Sequence, residues 1–314
     1  MIQATGSPES VVYLGIDFLL TARSELYVVE VNVGLPGGAH EYNLTHLVQV
    51  GTSSGIFDKI ERTSHRVYGK PFKVYLHSLP FIDSLKELKV WMDGMGPFPS
   101  SFHPGLRLED KWNQYQLLKD LVRMPETMIL NPNDLTQAQT FLEARGRVVL
   151  KRRVGRGGRE FQIITVPSTL LGLDLQSKPY LLQEYIESRV EGFSLSIRSV
   201  AFGGEFMAMV ANLANRPSSN HGTLAYVSPS SLFGLSEKHF KTQFFNLRSW
   251  EAEIWFGRNE PCYLRHNLYE EEVARATLNL PESIFRQIKD TSIAIERRYE
   301  ETDLRFLPKA CFEI

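Results

Sequence analysis

The sequence predicts a mixed α/β protein of the α+β class, and three observations lead to this prediction. Two strands come first, at 11–20 and 26–33, and units in which strands and helices alternate follow them. Antiparallel strands at 193–215 and helices at 270–301 complete the chain. This order is not typical of a single doubly wound parallel sheet. With 314 residues, the chain is long enough for two or three packed lobes.

The composition is that of an ordinary globular protein. The formal net charge is −1 and the pI is about 6.7, which does not indicate a protein that binds nucleic acid or a membrane surface. Cys262 and Cys311 are too few and too far apart for a disulfide framework. The start has no signal-peptide pattern, and no apolar run approaches the roughly 20 residues of a membrane span. We therefore expect a cytoplasmic protein.

The first elements are a hairpin and a helix. The strands 11–20 and 26–33 are joined by the polar turn "TARSE". Apolar residues at helical spacing in 41–51 predict a helix that stops at Gly51.

The middle of the chain alternates helix and strand. We predict helices at 83–96 and 109–121, a third from Asp134 or Thr136 to Gly146, and a short one near 168–173. Strands are predicted at "FKVYLHSLPF", "RVVLK", "FQIITV" and "YLLQEYI".

The last elements are a hairpin and a helical pair. Gly203 and Gly204 mark the turn of the hairpin 193–215. The segment 270–301 predicts two helices divided near Pro281.

Carboxylates collect on the first hairpin. Glu30 and Asn32 are two residues apart, so they share one face of their strand. If residues 22–25 form the loop, paired numbers sum to 47 and Asp17 lies opposite Glu30. Two facing carboxylates repel each other, so a positive group is expected between them. A Lys or Arg could serve, and Mg²⁺ suits an all-oxygen donor set better. A solvated sheet edge is the structural alternative.

A basic, glycine-rich loop follows the strand "RVVLK". "KRRVGRGGR" contains five cations in nine residues, and its glycines let the backbone approach a ligand. Lys151 ends the apolar strand, so its position should be fixed. Phosphate is the natural partner of such a loop. A solvated hairpin tip and an RNA-contacting loop are the alternatives.

Together, these segments resemble ATP-grasp enzymes. In that family an apolar strand ending in lysine precedes a glycine-rich loop, as in "VVLKRRVGRGGRE". An upstream lysine often follows aspartate at a helix start, as in "LEDKWNQYQLLKDL". The adenine hinge resembles "LLQEYIE". The metal hairpin, an acid followed by acid-x-Asn and a Pro-Gly turn, resembles "GIDFLL … YVVEVNVGLPGG".

The order of these motifs departs from most of the family, since the metal hairpin opens this chain. The resemblance therefore implies a circularly permuted ATP-grasp fold, in which two α+β lobes sandwich ATP. It divides the chain into 1–55 (part of the large lobe), 56–108 (a short substrate-side segment), 109–190 (the small lobe) and 191–314 (the rest of the large lobe).

The resemblance also implies site residues. Lys111 and Lys151 should hold the ATP phosphates, and Gly157 and Gly158 should close over them. Gln183 lies in the hinge, where Glu184 and Ile186 should offer backbone groups to adenine. Glu191, or Glu187 if the alignment is shifted, should hold the ribose. Asp17, Glu30 and Asn32 should hold Mg²⁺.

An arginine near the reacting phosphate is the least determined part of this site. In D-alanine–D-alanine ligases it often lies two residues before the first metal acid, where this chain has Gly15. The role would then pass to Arg198 or Arg216. For Arg198, a structural ion pair is the alternative.

The resemblance implies an ATP- and Mg²⁺-dependent ligase that joins a carboxylate to an amine through an acyl phosphate. Small-molecule or peptide substrates, without nucleic acid or membrane, are the expected partners, and a homodimer is the oligomer considered. The alternative is a non-catalytic ATP-binding or regulatory protein on the same fold. An RNA-contacting protein is less favoured, since the basic loop lacks interleaved aromatic residues.

Overall fold

The chain has a mixed α+β architecture. A computed structural model describes residues 13–33, 38–69, 110–131, 133, 135–153, 161–171, 180–217, 222–247, 251–256, 260–265 and 269–302. The predicted strand at 72–81, the predicted helix at 83–96 and the core of the glycine-rich loop lie outside these residues.

The described residues form the following elements. The strands are β1 (Tyr13–Leu20), β2 (Leu26–Val33), β3 (Thr127–Ile129), β4 (Val148–Arg152), β5 (Gln162–Ile164), β6 (Tyr180–Glu184), β7 (Arg189–Val190), β8 (Phe193–Phe202), β9 (Glu205–Ala214), β10 (Thr223–Ser230), β11 (Gly234–Leu235), β12 (Thr242–Leu247), β13 (Glu251–Phe256), β14 (Glu260–Arg265) and β15 (Tyr269–Pro281). The helices are α1 (Ala39–Val50), α2 (Ile56–Tyr68), α3 (Lys111–Leu118), α4 (Thr136–Arg145), α5 (Ser168–Leu171) and α6 (Glu282–Glu300).

A large sheet joins the two ends of the chain. Its strand order is β11-β15-β10-β9-β8-β1-β2, with β12 paired to β15 and β7 to β8. Apart from the parallel pair β10–β15, its neighbours are antiparallel. The N-terminal hairpin is therefore continuous with strands that follow residue 192.

Helices cover both faces of the large sheet. Ser199 and Val200 are adjacent on β8 and point to opposite faces. The Ser199 hydroxyl lies 2.7 Å from the Ser292 hydroxyl of α6. Val200 packs in a cluster with Ala39 of α1 and Ile56 of α2. Helix α6 thus covers one face, and α1 and α2 pack on the other.

A smaller sheet of four strands has the order β3-β6-β4-β5. Val148, Leu150 and Leu182 of this sheet form a separate core with Leu142 of α4. A further antiparallel pair is formed by β13 and β14.

Helix α3 links the small sheet to the outer edge of the large one. The Gln114 side chain accepts a hydrogen bond from the Val31 N–H at 3.1 Å and donates to the Val31 carbonyl at 2.6 Å. Leu118 of α3 belongs to the main hydrophobic core. Strand β2 therefore has part of its open backbone edge satisfied by a side chain, which protects an edge strand from other partners.

The prediction of two helices in 270–301 is wrong for the first of them. We expected a helix in the first part of 270–301, but Tyr269–Pro281 is the strand β15, and only Glu282–Glu300 is helical. Glu, Ala and Arg are good helix formers, which favoured the helical interpretation. However, Ala274, Ala276, Leu278 and Leu280 alternate as in a strand, and β15 pairs with β10, β11 and β12. Tertiary pairing outweighs the local preference here.

Most other predicted elements are confirmed within a few residues of the bounds given above, including the hairpin that turns at Gly203 and Gly204. The permuted order and the four-part division of the chain stay predictions. None of the helices in the described part of the chain is long and apolar enough to cross a membrane.

Candidate functional site

The N-terminal hairpin has the predicted register at its acidic residues. Asp17 pairs with Glu30, and Gly15 pairs with Asn32. Near the turn the prediction is off by one, because Leu20 faces Leu26 rather than Tyr27. An irregularity between Asp17 and Phe18 absorbs this difference. The two carboxylates and the carboxamide therefore lie on one face of adjacent strands.

Arg198 lies on the other side of Asp17. The two residues are paired across β1 and β8, and the guanidinium donates two hydrogen bonds to the carboxylate, of 2.7 and 2.8 Å. The Asn32 side-chain amide donates a third bond to Asp17, of 3.2 Å. Burial lowers the pKa of Arg198, but attraction to Asp17, Glu41 and Glu30 outweighs burial and raises the pKa overall. Arg198 is therefore a fixed positive charge beside the hairpin acids.

Lys111 approaches the second hairpin acid. It is the first residue of α3, and its Nζ lies 3.5 Å from Oε1 of Glu30. Both side chains are largely enclosed, with 11% of Lys111 and 23% of Glu30 exposed. Residues 81 positions apart in the sequence thus form a charge pair.

Lys151 of β4 completes the cationic side of the site. Its Nζ donates a 2.8 Å hydrogen bond to the Gln183 side chain, which donates in turn to the Thr127 hydroxyl at 3.0 Å. Burial lowers the pKa of Lys151, and repulsion by Lys111 adds to this. Glu30 and Asp17 act in the opposite direction, so both hairpin acids lie within electrostatic reach of Lys151.

The predicted hinge lies beside this lysine. Glu184 ends β6, and its backbone N–H donates to the Glu126 carbonyl at 2.8 Å. Tyr185 and Ile186 follow without regular structure. Gln183 is buried, and its side chain contacts Lys151 directly. The hinge and Lys151 are thus parts of one small sheet.

The two candidates for the ribose contact both have protein partners. Glu191 has a positive φ of 47°, and its carboxylate accepts a 3.0 Å hydrogen bond from the Leu235 N–H. Glu187 forms ion pairs with Arg147 at 3.5 Å and Arg189 at 3.0 Å. The choice between Glu191 and Glu187 stays open.

The two candidate arginines differ in their surroundings. Arg198 is bonded to Asp17, as described above, whereas Arg216 is exposed beyond the end of β9. The structural ion pair considered for Arg198 is thus observed, and it lies next to the hairpin acids. Gly157 and Gly158 lie outside the described residues.

Two glutamates near this site, Glu41 and Glu271, were not predicted from the sequence. Glu41 lies in the first turn of α1, and its side chain accepts a hydrogen bond from the Gly38 N–H. Glu271 lies on β15, where burial, with a smaller contribution from Glu41, raises its pKa to about 7, against the opposing effect of Arg198. The spacing of Gly38 and Glu41, three residues apart at a helix start, could have identified Glu41 as a capping residue. Glu271 was missed because its segment was assigned to a helix.

The side-chain oxygens of the hairpin fit a magnesium ion that takes its other ligands from elsewhere. Within the described part of the chain, no group of three or more His, Cys, Asp or Glu residues is arranged to hold a metal ion. Asp17, Glu30 and Asn32 supply only oxygen ligands, and Asp17 keeps further lone pairs beside Arg198. Mg²⁺ commonly takes one or two carboxylates together with phosphate oxygens. These three residues suit that mode of binding.

Comparison with known proteins gives only distant similarity. No protein-family model matches the chain, and no curated protein gives a significant match. Solved structures that match include a candidate gamma-glutamylcysteine synthetase from Methylobacillus flagellatus KT, with 9% identity and a TM-score of 0.42 over 68% of this chain and 77% of that chain. They also include a D-alanine–D-alanine ligase from Bacillus anthracis, with 14% identity and a TM-score of 0.35 over 69% of this chain and 57% of that chain. Similarity at these identities and TM-scores does not indicate a function for this chain.

Proposed function

We propose that the protein is an ATP- and Mg²⁺-dependent ligase that joins a carboxylate to an amine through an acyl phosphate, with amino acids or peptides as substrates. The proposal depends on one observation. The acids of the hairpin lie beside two lysines from other parts of the fold, one on the small sheet and one at the start of α3. Oε1 of Glu30 lies 3.5 Å from the Lys111 Nζ. The negative charges of Glu30 and Asp17 both act to raise the pKa of Lys151, against the larger effect of burial. Charged groups of both signs, partly shielded from water, suit a metal-bound polyphosphate.

The lysines have a physical reason to bind an anion. Burial and repulsion from Lys111 disfavour the charged form of Lys151, so an ammonium group at this position carries an energetic cost. A triphosphate beside both ammonium groups offsets that cost. Gln183 holds Lys151 in place for this contact, because the two side chains share a 2.8 Å hydrogen bond.

The remaining residues have complementary roles in the proposal. Asp17, Glu30 and Asn32 hold the magnesium, which neutralises phosphate charge when bound. Arg198 is placed to donate hydrogen bonds to a transferring phosphoryl group or to the substrate carboxylate. Backbone groups of Glu184 and Ile186 receive adenine. No nucleophile on the protein is needed, since positioning and charge stabilisation account for this chemistry.

A screen of ADP release with candidate substrates tests the proposal. Purified protein is incubated with MgATP, amino acids and short peptides, and products are identified by mass. We expect Lys151→Met to lower turnover about 100-fold, the typical loss for one charge-stabilising donor. Lys119→Met is the matched control, because Lys119 is an exposed lysine just after α3, and it should keep wild-type turnover.

The hairpin acids are tested in the same assay. Glu30→Gln should abolish turnover, whereas Glu25→Gln, on the same hairpin but paired with Arg123 at the surface, should not. Tight MgATP binding without turnover across the whole substrate panel would favour the non-catalytic alternative. Absence of MgATP binding to the wild-type protein would overturn both.

A further inference from the structure

A buried ion pair lies beneath the two lysines. Asp110 directly precedes Lys111, and Arg153 follows Lys151 by two residues. The Arg153 guanidinium donates to Asp110 through Nε at 3.1 Å and through a terminal nitrogen at 2.6 Å. Only 2% of the Arg153 side chain and none of the Asp110 side chain is exposed. The pair is therefore excluded from water and fixed by two hydrogen bonds.

Further hydrogen bonds tie this pair to the backbones that carry the lysines. Asp110 caps α3 by accepting the Trp112 N–H at 2.9 Å. The Lys111 N–H donates to the Arg153 carbonyl, also at 2.9 Å. The start of α3 is thus bonded directly to the chain that leaves β4. Lys111 and Lys151 extend from two segments that are held in one fixed arrangement.

Stability alone does not account for a buried pair of this kind. Removing two charges from water costs several kcal/mol or more, and apolar residues of similar size often give equal or better stability. A fixed relative position of the two segments is what this pair adds. Such a position matters here because burial lowers the pKa of Lys151 and repulsion by Lys111 adds to this effect, so the two ammonium groups are not drawn together by their own charges.

We propose that Asp110 and Arg153 are positioning residues that hold the ammonium groups of Lys111 and Lys151 close enough to bind one polyphosphate together. The inference rests on the proposed function, since it assigns the two lysines to the phosphates. It predicts that loss of the pair weakens binding to the phosphates and spares binding to the nucleoside part of the nucleotide. A purely structural pair would weaken both equally, or neither.

The test is a double variant, Asp110→Asn with Arg153→Met. Asparagine retains the helix cap and methionine fills the apolar part of the arginine site, so the fold should persist. Dissociation constants for MgATP and for adenosine are measured by calorimetry. We expect MgATP affinity to fall about tenfold or more, as for the loss of a charged hydrogen bond, with adenosine affinity unchanged.

The matched control is Glu25→Gln with Arg123→Met, which removes an exposed ion pair of 2.7 Å that lies away from the lysines. It should leave both affinities unchanged. If the double variant at 110 and 153 does not fold, Arg153→Lys keeps the charge but not the two-point geometry, and should show a smaller loss confined to MgATP.

The outcomes separate the two ideas. Wild-type MgATP affinity in a folded variant, or an equal loss of affinity for adenosine, overturns the positioning role. Normal MgATP binding by Lys151→Met overturns the assignment of this lysine in the proposed function, and the positioning role with it.

Discussion

Glu296 is a carboxyl group of α6 with no solvent exposure. It accepts a 3.1 Å hydrogen bond from the Gly204 N–H, at the turn between β8 and β9. Burial raises its pKa to about 8, and repulsion by Glu300 adds to the shift, while hydrogen bonds from Gly204 and Gly203 oppose it. The folded protein therefore holds a proton on this side chain at neutral pH.

This shift predicts a pH dependence of stability. Between about pH 4.5 and pH 8 the folded state binds one proton more than the unfolded state, so stability is highest below this window and falls as the pH rises through it. The loss over the whole window is about 5 kcal/mol at roughly 1.4 kcal/mol per pKa unit. Glu296→Gln should remove this part of the slope, as measured by urea unfolding at pH 5, 7 and 9.

Asp290→Asn is the control for that experiment, since Asp290 is exposed on the same helix. It should leave the slope unchanged. A wild-type protein whose stability rises between pH 5 and pH 9, with the same slope in Glu296→Gln, would contradict the prediction. Glu271, with its pKa raised to about 7, contributes in the same direction as Glu296 and is left intact by both variants.

Among the secondary-structure elements, the hairpins were the most predictable from the sequence. Alternating side chains and short turns are local signals, and they predicted the pairing of Asp17 with Glu30. They did not predict the irregularity between Asp17 and Phe18, which compensates for a register that is off by one near the turn. The identity of β15 was not predictable in this way, because its strand state depends on pairing with three strands that lie far away in the sequence.

The residues of the candidate site also differ in how well the sequence alone identifies them. Glu30, Asn32 and Lys151 lie in short segments with distinctive patterns, and such segments can be recognised without knowledge of the fold. Arg198 and Glu271 lie in apolar or ordinary strands, and only the large sheet brings Arg198 beside Asp17 and Glu271 within electrostatic reach of Arg198. For this reason the sequence could not show that Arg198 lies beside Asp17 whereas Arg216 is exposed, and the choice between the two arginines stays a prediction.

The two glycines of the turn between β8 and β9 should differ in how much stability is lost when each is replaced by alanine. Gly203 and Gly204 both have positive φ, 63° and 75°. A Cβ on Gly203 would lie 2.6 Å from the Thr63 methyl group of α2, whereas one on Gly204 would meet nothing within 4 Å. Gly204→Ala should cost about 1 kcal/mol for its backbone conformation. Gly203→Ala should cost about 2 kcal/mol more, because the side chain overpacks against α2.

Urea unfolding of the two variants measures this difference directly. Each glycine is the control for the other, since they share the turn and the sign of φ. Equal losses of stability would mean that α2 moves away from the turn at little cost, and would contradict close packing between α2 and the hairpin.

At the scale of the whole molecule, the site exists only when the chain is folded. Asp17, Glu30 and Arg198 belong to the large sheet, Lys151 belongs to the small sheet, and Lys111 lies on the helix that packs against both. An unfolded chain cannot bring these groups together. A ligand that binds them all must therefore bind the folded state alone and stabilise it.

This linkage between binding and folding predicts that MgATP raises the stability of the protein. MgATP at about 100 times its dissociation constant should stabilise the protein by about 2.7 kcal/mol. For a chain of this size, the midpoint of thermal unfolding should then rise by about 4 °C, as measured by scanning calorimetry. Lys151→Met should lose most of this rise because it removes the proposed phosphate contact, whereas Lys119→Met should keep it. A midpoint that stays constant as the MgATP concentration increases would show that the acids of the large sheet and the lysines outside it do not form one nucleotide site.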